Sequence, residues 1–199
     1  FKTSGVYREV FNMPRRVILF SPDQFYHVYN RGNDRQPIFF DRENYLFFLR
    51  RVKEYLAASV EIHAFCLMPN HYHLLLRMTK EVDFSDAMKK LLISYTKAIN
   101  KKYQKVGHLF QGSFKAKLVD SPEYFLHLSR YIHLNPRIAG LVKYPQEWEF
   151  SSYREYLGLR KNELVMTEFI LSQFRDLKDY QKYVGTLTES EIEKLQESF

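Results

Sequence analysis

Cysteine is almost absent: Cys66 stands alone in a chain of 199 residues. A single thiol excludes an intrachain disulfide and any zinc cluster built on cysteine. Because Cys66 sits in an apolar run, it reads as a small buried hydrophobe, which fits a reducing, cytoplasmic setting. Long hydrophobic runs are missing too. No stretch approaches the roughly 20 apolar residues of a membrane-crossing helix, so no membrane partner is expected. Residues 1–12 have no apolar signal-peptide core. They are expected to be a tag or an upstream extension, because Met13-Pro14-Arg15-Arg16 has the look of a natural start. The G-x-x-x-x-G-K-[ST] loop that cradles a nucleotide triphosphate does not occur, and neither do internal repeats or low-complexity segments.

What the chain does have is aromatic rings, apolar mass and positive charge. Hydrophobic residues make up 45% of it, enough for a real core, and 15 Tyr and 17 Phe bring the aromatic share to 17%. Rings fill cores, but they also stack on nucleobases whatever the base sequence, and composition does not separate the two uses. The net charge of +7 and pI near 9.3 make a polyanion a candidate partner, nucleic acid before an anionic membrane surface.

The order of elements follows from periodicity and turn residues. Residues 25–29 read as an aromatic strand ending at the turn Asn30-Arg31-Gly32-Asn33. Asp41 caps a helix to about residue 58, with Tyr45, Phe48, Leu49, Val52 and Leu56 on one side. Residues 60–68 and 71–78 form two strands of a β-hairpin turned at Pro69-Asn70. Ser85 is the expected cap of the next helix, whose apolar stripe is Met88, Leu91, Leu92, Tyr95 and Ile99. A fourth strand covers residues 114–119. Ser121-Pro122 then starts a helix expected to stop at Asn135-Pro136. Several short helices follow from Ser151. The order β, α, β, β, α, β, α predicts an α+β class protein: a ferredoxin-like sandwich with a central, mostly antiparallel sheet and helices packed on it. Residues 13–150 are expected to be one domain and 151–199 a helical C-terminal extension.

Two short patterns carry chemistry. Side chains two apart on a strand share a face, so His71 and His73 point one way and Tyr72 the other. Such a pair is ready to ligate a metal, although alone it fits equally two histidines that only hydrogen-bond or face solvent. Side chains four apart share a helix face, which aligns His127, Tyr131 and Asn135 about a quarter turn from the stripe Phe125, Leu128 and Ile132. Asn135 offers a hard oxygen suited to Mg²⁺ or Mn²⁺. Two imidazoles and one amide would leave coordination positions for a phosphate and water, and a tyrosine beside them is a covalent nucleophile. Other tyrosines fit less well. Tyr95 and Tyr124 have Ile99 and Leu128 four residues on, which cannot ligate. Tyr26 and Tyr29 lie in a strand and turn, where that spacing does not bring side chains together.

The segments Met68-Pro69-Asn70-His71-Tyr72-His73-Leu74-Leu75 and Tyr131-Ile132-His133-Leu134-Asn135-Pro136, with residues 107–114 between them, resemble the REP-associated tyrosine transposases of the HUH superfamily. The resemblance spans roughly residues 25–153 and is specific because several motifs occur in order. It implies that His71, His73 and Asn135 hold a divalent metal, Mg²⁺ or Mn²⁺. It implies that Tyr131 attacks DNA to give a 5′-phosphotyrosine and a free 3′-hydroxyl. The implied partner is single-stranded DNA with hairpins or palindromic repeats, and the implied assembly a monomer or homodimer. Tyr72 between the histidines is bulky but carries a hydroxyl, a second tyrosine near the metal.

Arg31, Arg35, Arg77, Lys97, Lys101, Lys115 and Lys117 are candidate DNA contacts, although each also fits a solvated surface charge. Two rival readings remain at this point: a non-catalytic DNA-hairpin-binding regulator, and a metal-dependent phosphodiesterase that never uses Tyr131.

Overall fold

The structure, a computed structural model, describes residues 19–186, 188 and 190–193. Residues 1–12 lie outside these. Four strands, β1 (Phe25–Arg31), β2 (Val60–Met68), β3 (His71–Met78) and β4 (Lys115–Val119), form one sheet in the order β2-β3-β1-β4. Every neighbouring pair is antiparallel. With α1 (Arg42–Leu56), α2 (Phe84–Lys102) and α3 (Pro122–Ile138), this is the expected ferredoxin-like α+β sandwich.

Pleat parity sorts the side chains into two layers. Tyr26 and Val28 of β1, with Tyr72, Leu74 and Leu76 of β3, are buried on one face. That layer also takes Phe48 and Val52 of α1 and Met88, Leu91 and Tyr95 of α2. The other face carries His27 and Tyr29 of β1 and His71 and His73 of β3, and α3 packs over it. The sheet is therefore a partition, with a hydrocarbon and aromatic core on one side and imidazoles on the other.

Helix boundaries differ from expectation in two places. Asp83, not Ser85, caps α2: its carboxylate accepts from the Asp86 N–H at 2.9 Å. Both residue types cap well, but starting at Phe84 lets that ring be buried. Helix α3 does not stop at Pro136 but runs through it to Ile138. A proline this close to a helix end forfeits one backbone bond. The turn is then closed by Ala139 N–H to the Asn135 carbonyl at 2.9 Å and Leu141 N–H to the Pro136 carbonyl at 2.9 Å. The fourth strand begins at Lys115, one residue after the expected Phe114.

The C-terminal region contains α4 (Tyr153–Tyr156), α5 (Glu168–Leu171) and α6 (Leu177–Gly185). It covers the outer edge of β2, where Leu67 N–H donates to the Phe150 carbonyl and Ser152 N–H to the Phe65 carbonyl. Met166 N–H donates to the Ile62 carbonyl there as well. Covering an edge in this way removes a row of unpaired backbone groups that would otherwise recruit another strand.

His63 sits in this region among Phe25, Phe125 and Phe169, with ring centroids 5.4, 5.5 and 5.8 Å away. Burial lowers its pKa to about 4, with Glu61 opposing and Arg77 assisting. Its folded pKa thus lies below the unfolded value near 6.5, so the folded state stays neutral where the unfolded chain takes up a proton. Stability from this site is complete above pH 6.5 and is lost as pH falls toward 4, by about 1.4 kcal/mol per unit. Urea denaturation of His63→Phe between pH 6.5 and 4.5 should therefore show a stability loss smaller than wild type's by about 2 kcal/mol. Parallel curves for the two proteins would contradict this account.

Candidate active site

The β1–β3 register pairs Tyr29 with His73 and Arg31 with His71. Paired residues share a face, so these four side chains gather at the end of the sheet next to the β2–β3 turn. Helix α3 lays Tyr131 and Asn135, one turn apart, over the same spot. The Asn135 Oδ1 lies 3.3 Å from His71 Nε2. The Tyr131 ring meets His73 edge-on with centroids 5.9 Å apart. Tyr29, His71, His73 and Tyr131 line a pocket of about 350 Å³ together with Arg31, Arg35, Gln111 and Lys115, and Asn135 stands behind His71. Tyr72 points to the opposite face, where it is fully buried beside Phe48. His127 does not join the row: it turns toward Arg130 and Glu191.

Hydrogen bonds fix the protonation of His71. The Asn70 amide donates from Nδ2 to the Arg35 carbonyl at 3.2 Å, which aims its Oδ1 at His71 Nδ1, 2.7 Å away. An amide oxygen only accepts, so His71 Nδ1 carries the proton and Nε2 a lone pair. Burial lowers the His71 pKa, against an opposing pull from Asn135, and so favours this neutral ring. The Asn135 amide faces this Nε2 across 3.3 Å. Two oxygen or nitrogen ligands about 2.1 Å from one ion sit roughly 3.0–3.4 Å apart, a range that includes this separation and overlaps that of a long hydrogen bond.

His73 is held from behind. Its Nδ1 lies 2.9 Å from His27 Nε2. When His73 is the donor, its Nε2 carries the lone pair a metal needs, and His27 acts as the outer partner that fixes the tautomer. Burial pushes His73 well below the ordinary histidine value, helped by the neighbouring His71 and His27. His27 is lowered to about 3 by burial and by Lys117. All three imidazoles are therefore neutral at pH 7. Among the described residues no three His, Cys, Asp or Glu side chains converge as a metal site. Burial raises the Tyr131 phenol pKa, and the neighbouring Asn135 amide pulls it the other way.

The sequence candidates for DNA contact divide by position. Arg31, Arg35 and Lys115 line the pocket, with the Arg31 Nε bonded to the Gln111 side chain. Lys117 lies on the same face, over the Tyr124 ring. Arg77 shares that face but stands at the far end of β3, paired with Glu61 and Asp23. Lys97 and Lys101 lie on α2, across the sheet from the histidines. His27, Asn70 and Gln111 were missed by sequence reasoning. Of these only His27 left a signal, its parity with Tyr29 on a strand next to the histidine pair.

This fold is shared with solved structures. A REP-associated tyrosine transposase bound to a REP hairpin superposes with a TM-score of 0.61 at 18% identity, over 76% of this chain and 96% of that one. A candidate transposase from Deinococcus radiodurans R1 is less similar, with a TM-score of 0.42 at 17% identity over 65% of this chain and 95% of that one. No curated protein sequence matches significantly. The family described as "Transposase IS200 like" matches residues 21–135, more than half of the chain. The chain belongs to that family of DNA-processing enzymes.

The turn that brings Arg31 and Arg35 to the pocket rim depends on Gly32. A Cβ there would sit 1.9 Å from the Gln36 carbonyl oxygen and 3.1 Å from Ile38 Cγ2. Gly32→Ala should therefore cost about 1–3 kcal/mol, the usual toll of overpacking. Gly185→Ala, with nothing within 4 Å of the added carbon, should be neutral or slightly stabilising. Urea midpoints of the two variants test this, and equal midpoints would refute it.

Proposed function

We propose that this chain is a tyrosine transposase that cleaves and rejoins single-stranded, hairpin-containing DNA with the help of a divalent metal ion. The observation that carries the reading is the meeting of β3 and α3, where His71 and His73 face Tyr131 and Asn135. All four residues lie in one chain, which supports a site formed within a single protomer. The relatedness to a transposase solved with a DNA hairpin supports the same partner here.

His71, His73 and Asn135 would hold the ion, Mg²⁺ or Mn²⁺, which when bound supplies positive charge to polarise a phosphodiester and to favour the tyrosinate. The chain's own groups do the rest. Arg31, Arg35 and Lys115 on the rim attract and orient the phosphate backbone. The Tyr131 Oη, positioned on α3, attacks phosphorus as its proton departs. A P–Oη bond forms, the P–O3′ bond breaks, and the 3′ oxygen takes up a proton. The products are a 5′-phosphotyrosine and a free 3′-hydroxyl. The new ester conserves the energy of the old one, so attack by a 3′-hydroxyl reverses the step without ATP. Burial of Tyr131 limits water access to that ester.

Incubating the chain with end-labelled hairpin DNA and Mg²⁺ or Mn²⁺ should give a covalent adduct that survives a denaturing gel. Tyr131→Phe and chelation should abolish it, and His71→Ala or His73→Ala should slow its formation by about 100-fold or more. Asn135→Ala should slow it at least about tenfold. An adduct that persists in Tyr131→Phe would assign another tyrosine. Cleavage without an adduct would indicate a phosphodiesterase, and binding without cleavage a regulator.

A further inference from the structure

Residues 110–116 form a wall between two cavities. Gln111, Ser113 and Lys115 line the pocket that contains Tyr131. The alternate positions Phe110, Gly112, Phe114 and Ala116 line a larger groove of about 740 Å³, and Ser113 borders both. The opposite wall of the groove is α2, which contributes Leu92, Ile93 and Thr96 with Lys89 and Lys97. The volume lies in the roughly 300–1,000 Å³ range of small-ligand pockets.

Its chemistry is apolar inside and cationic at the rim. Phe114 lies 6.3 Å from Phe20 and 6.0 Å from Phe84, ring centroid to ring centroid. Ile93 is 44% exposed, an apolar side chain left uncovered on a lysine-rich helix. No acidic residue lines the groove. Elsewhere on α2, Lys90 and Lys102 are neutralised by Asp86 and Asp41. Lys89 and Lys97 have no such carboxylate among the described residues.

We propose that this groove is a second DNA site, which takes unpaired nucleotides flanking the phosphodiester presented to Tyr131. The proposal rests on the reading of the chain as acting on single-stranded DNA. Base faces lie against Phe114, Leu92 and Ile93, and phosphates meet Lys89 and Lys97. Unpaired nucleotides fit because a duplex hides its base faces in the stack and offers a concave apolar surface nothing to cover it with. A second copy of the chain fits poorly, because it would bring like charge to a rim without carboxylates. The shared wall at Ser113 makes the two sites neighbours, so one strand can cross from one to the other over the β4 edge.

The test uses the full chain and three synthetic probes: a blunt DNA hairpin, and the same hairpin with an oligothymidylate extension of about ten residues on the 5′ or the 3′ side. Ile93→Trp fills the groove from an exposed position, and its melting temperature reports that it is folded. It should weaken binding of one extended probe by about tenfold, the effect of about one stacked base, and leave blunt-hairpin affinity equal to wild type's. The probe affected identifies the flank. Lys89→Gln with Lys97→Gln should lower the salt slope for that probe by about 1.4. Photocrosslinking of 5-iodouracil in the extension should label the peptides carrying Phe114 or Ile93.

An unchanged ratio of extended to blunt affinity in Ile93→Trp, or crosslinks confined to other surfaces, would overturn the proposal. So would a wild-type dimer, seen by light scattering, that Ile93→Trp dissociates, since that assigns the groove to a second copy. Adduct formation by the wild type on the same probes separates the two readings. An adduct without a groove effect sinks this inference alone, whereas a groove effect without an adduct upholds it and sinks the tyrosine chemistry.

Discussion

The geometry of the site depends on the rotation of α3 about its own axis. Side-chain tips stand about 5–6 Å from a helix axis, so a twist of about 20° moves them by about 2 Å. That would separate Asn135 from His71. The rotation is fixed from the side of α3 away from the pocket by His133. Its Nδ1 lies 2.8 Å from the Tyr180 hydroxyl on α6, and its Nε2 lies 2.8 Å from the Ser152 hydroxyl. Ser152 in turn accepts from the Phe65 N–H of β2, 2.8 Å away. His133 is fully buried and held neutral, its pKa lowered to about 3 by burial. Breaking this chain strands polar groups in the core, a cost of about 1–3 kcal/mol for each. The C-terminal extension therefore belongs to the positioning of the proposed nucleophile, although the matched family segment ends at residue 135.

Burial makes two demands on the site that the proposed cation would reconcile. It keeps His71 and His73 neutral, which a metal ligand requires. The same burial raises the Tyr131 phenol above its ordinary value, which a nucleophile does not want. One positive charge among these groups would satisfy both, pairing with the imidazole lone pairs and favouring the tyrosinate.

How much of this was legible in the sequence follows from which forces are local. The bounds of β2 and β3 were readable because a period of two and a Pro-Asn turn are encoded within a few residues. The Tyr131–Asn135 row was readable because helical spacing is local too, and carrying the helix through Pro136 left it intact. Asp83 and Ser85 compete as caps, and burial of Phe84 decides between them, which is a tertiary fact. His27 and Asn70 took on their roles only when register and turn geometry placed them beside the histidines. Arg77 shows the limit of parity. It lies on the correct face, but six residues along a strand are about 20 Å, and there it meets Glu61 and Asp23 instead of the pocket.

The two edges of the sheet are treated differently, and this bears on how a strand of DNA is accommodated. The β2 edge is covered by residues 148–166 through backbone bonds and by Trp148 Nε1–H to the Leu67 carbonyl. The β4 edge carries Lys115, Lys117 and an exposed Leu118. Lysines on an edge strand discourage pairing with another polypeptide, because the partner would bury their charge. They do not discourage a polyanion, whose phosphates remain at the surface beside them. A single edge thus repels one class of partner and admits the other. Because β4 continues the wall between the pocket at Tyr131 and the groove on α2, a strand held in both proposed sites would pass Lys115 and Lys117 on its way between them.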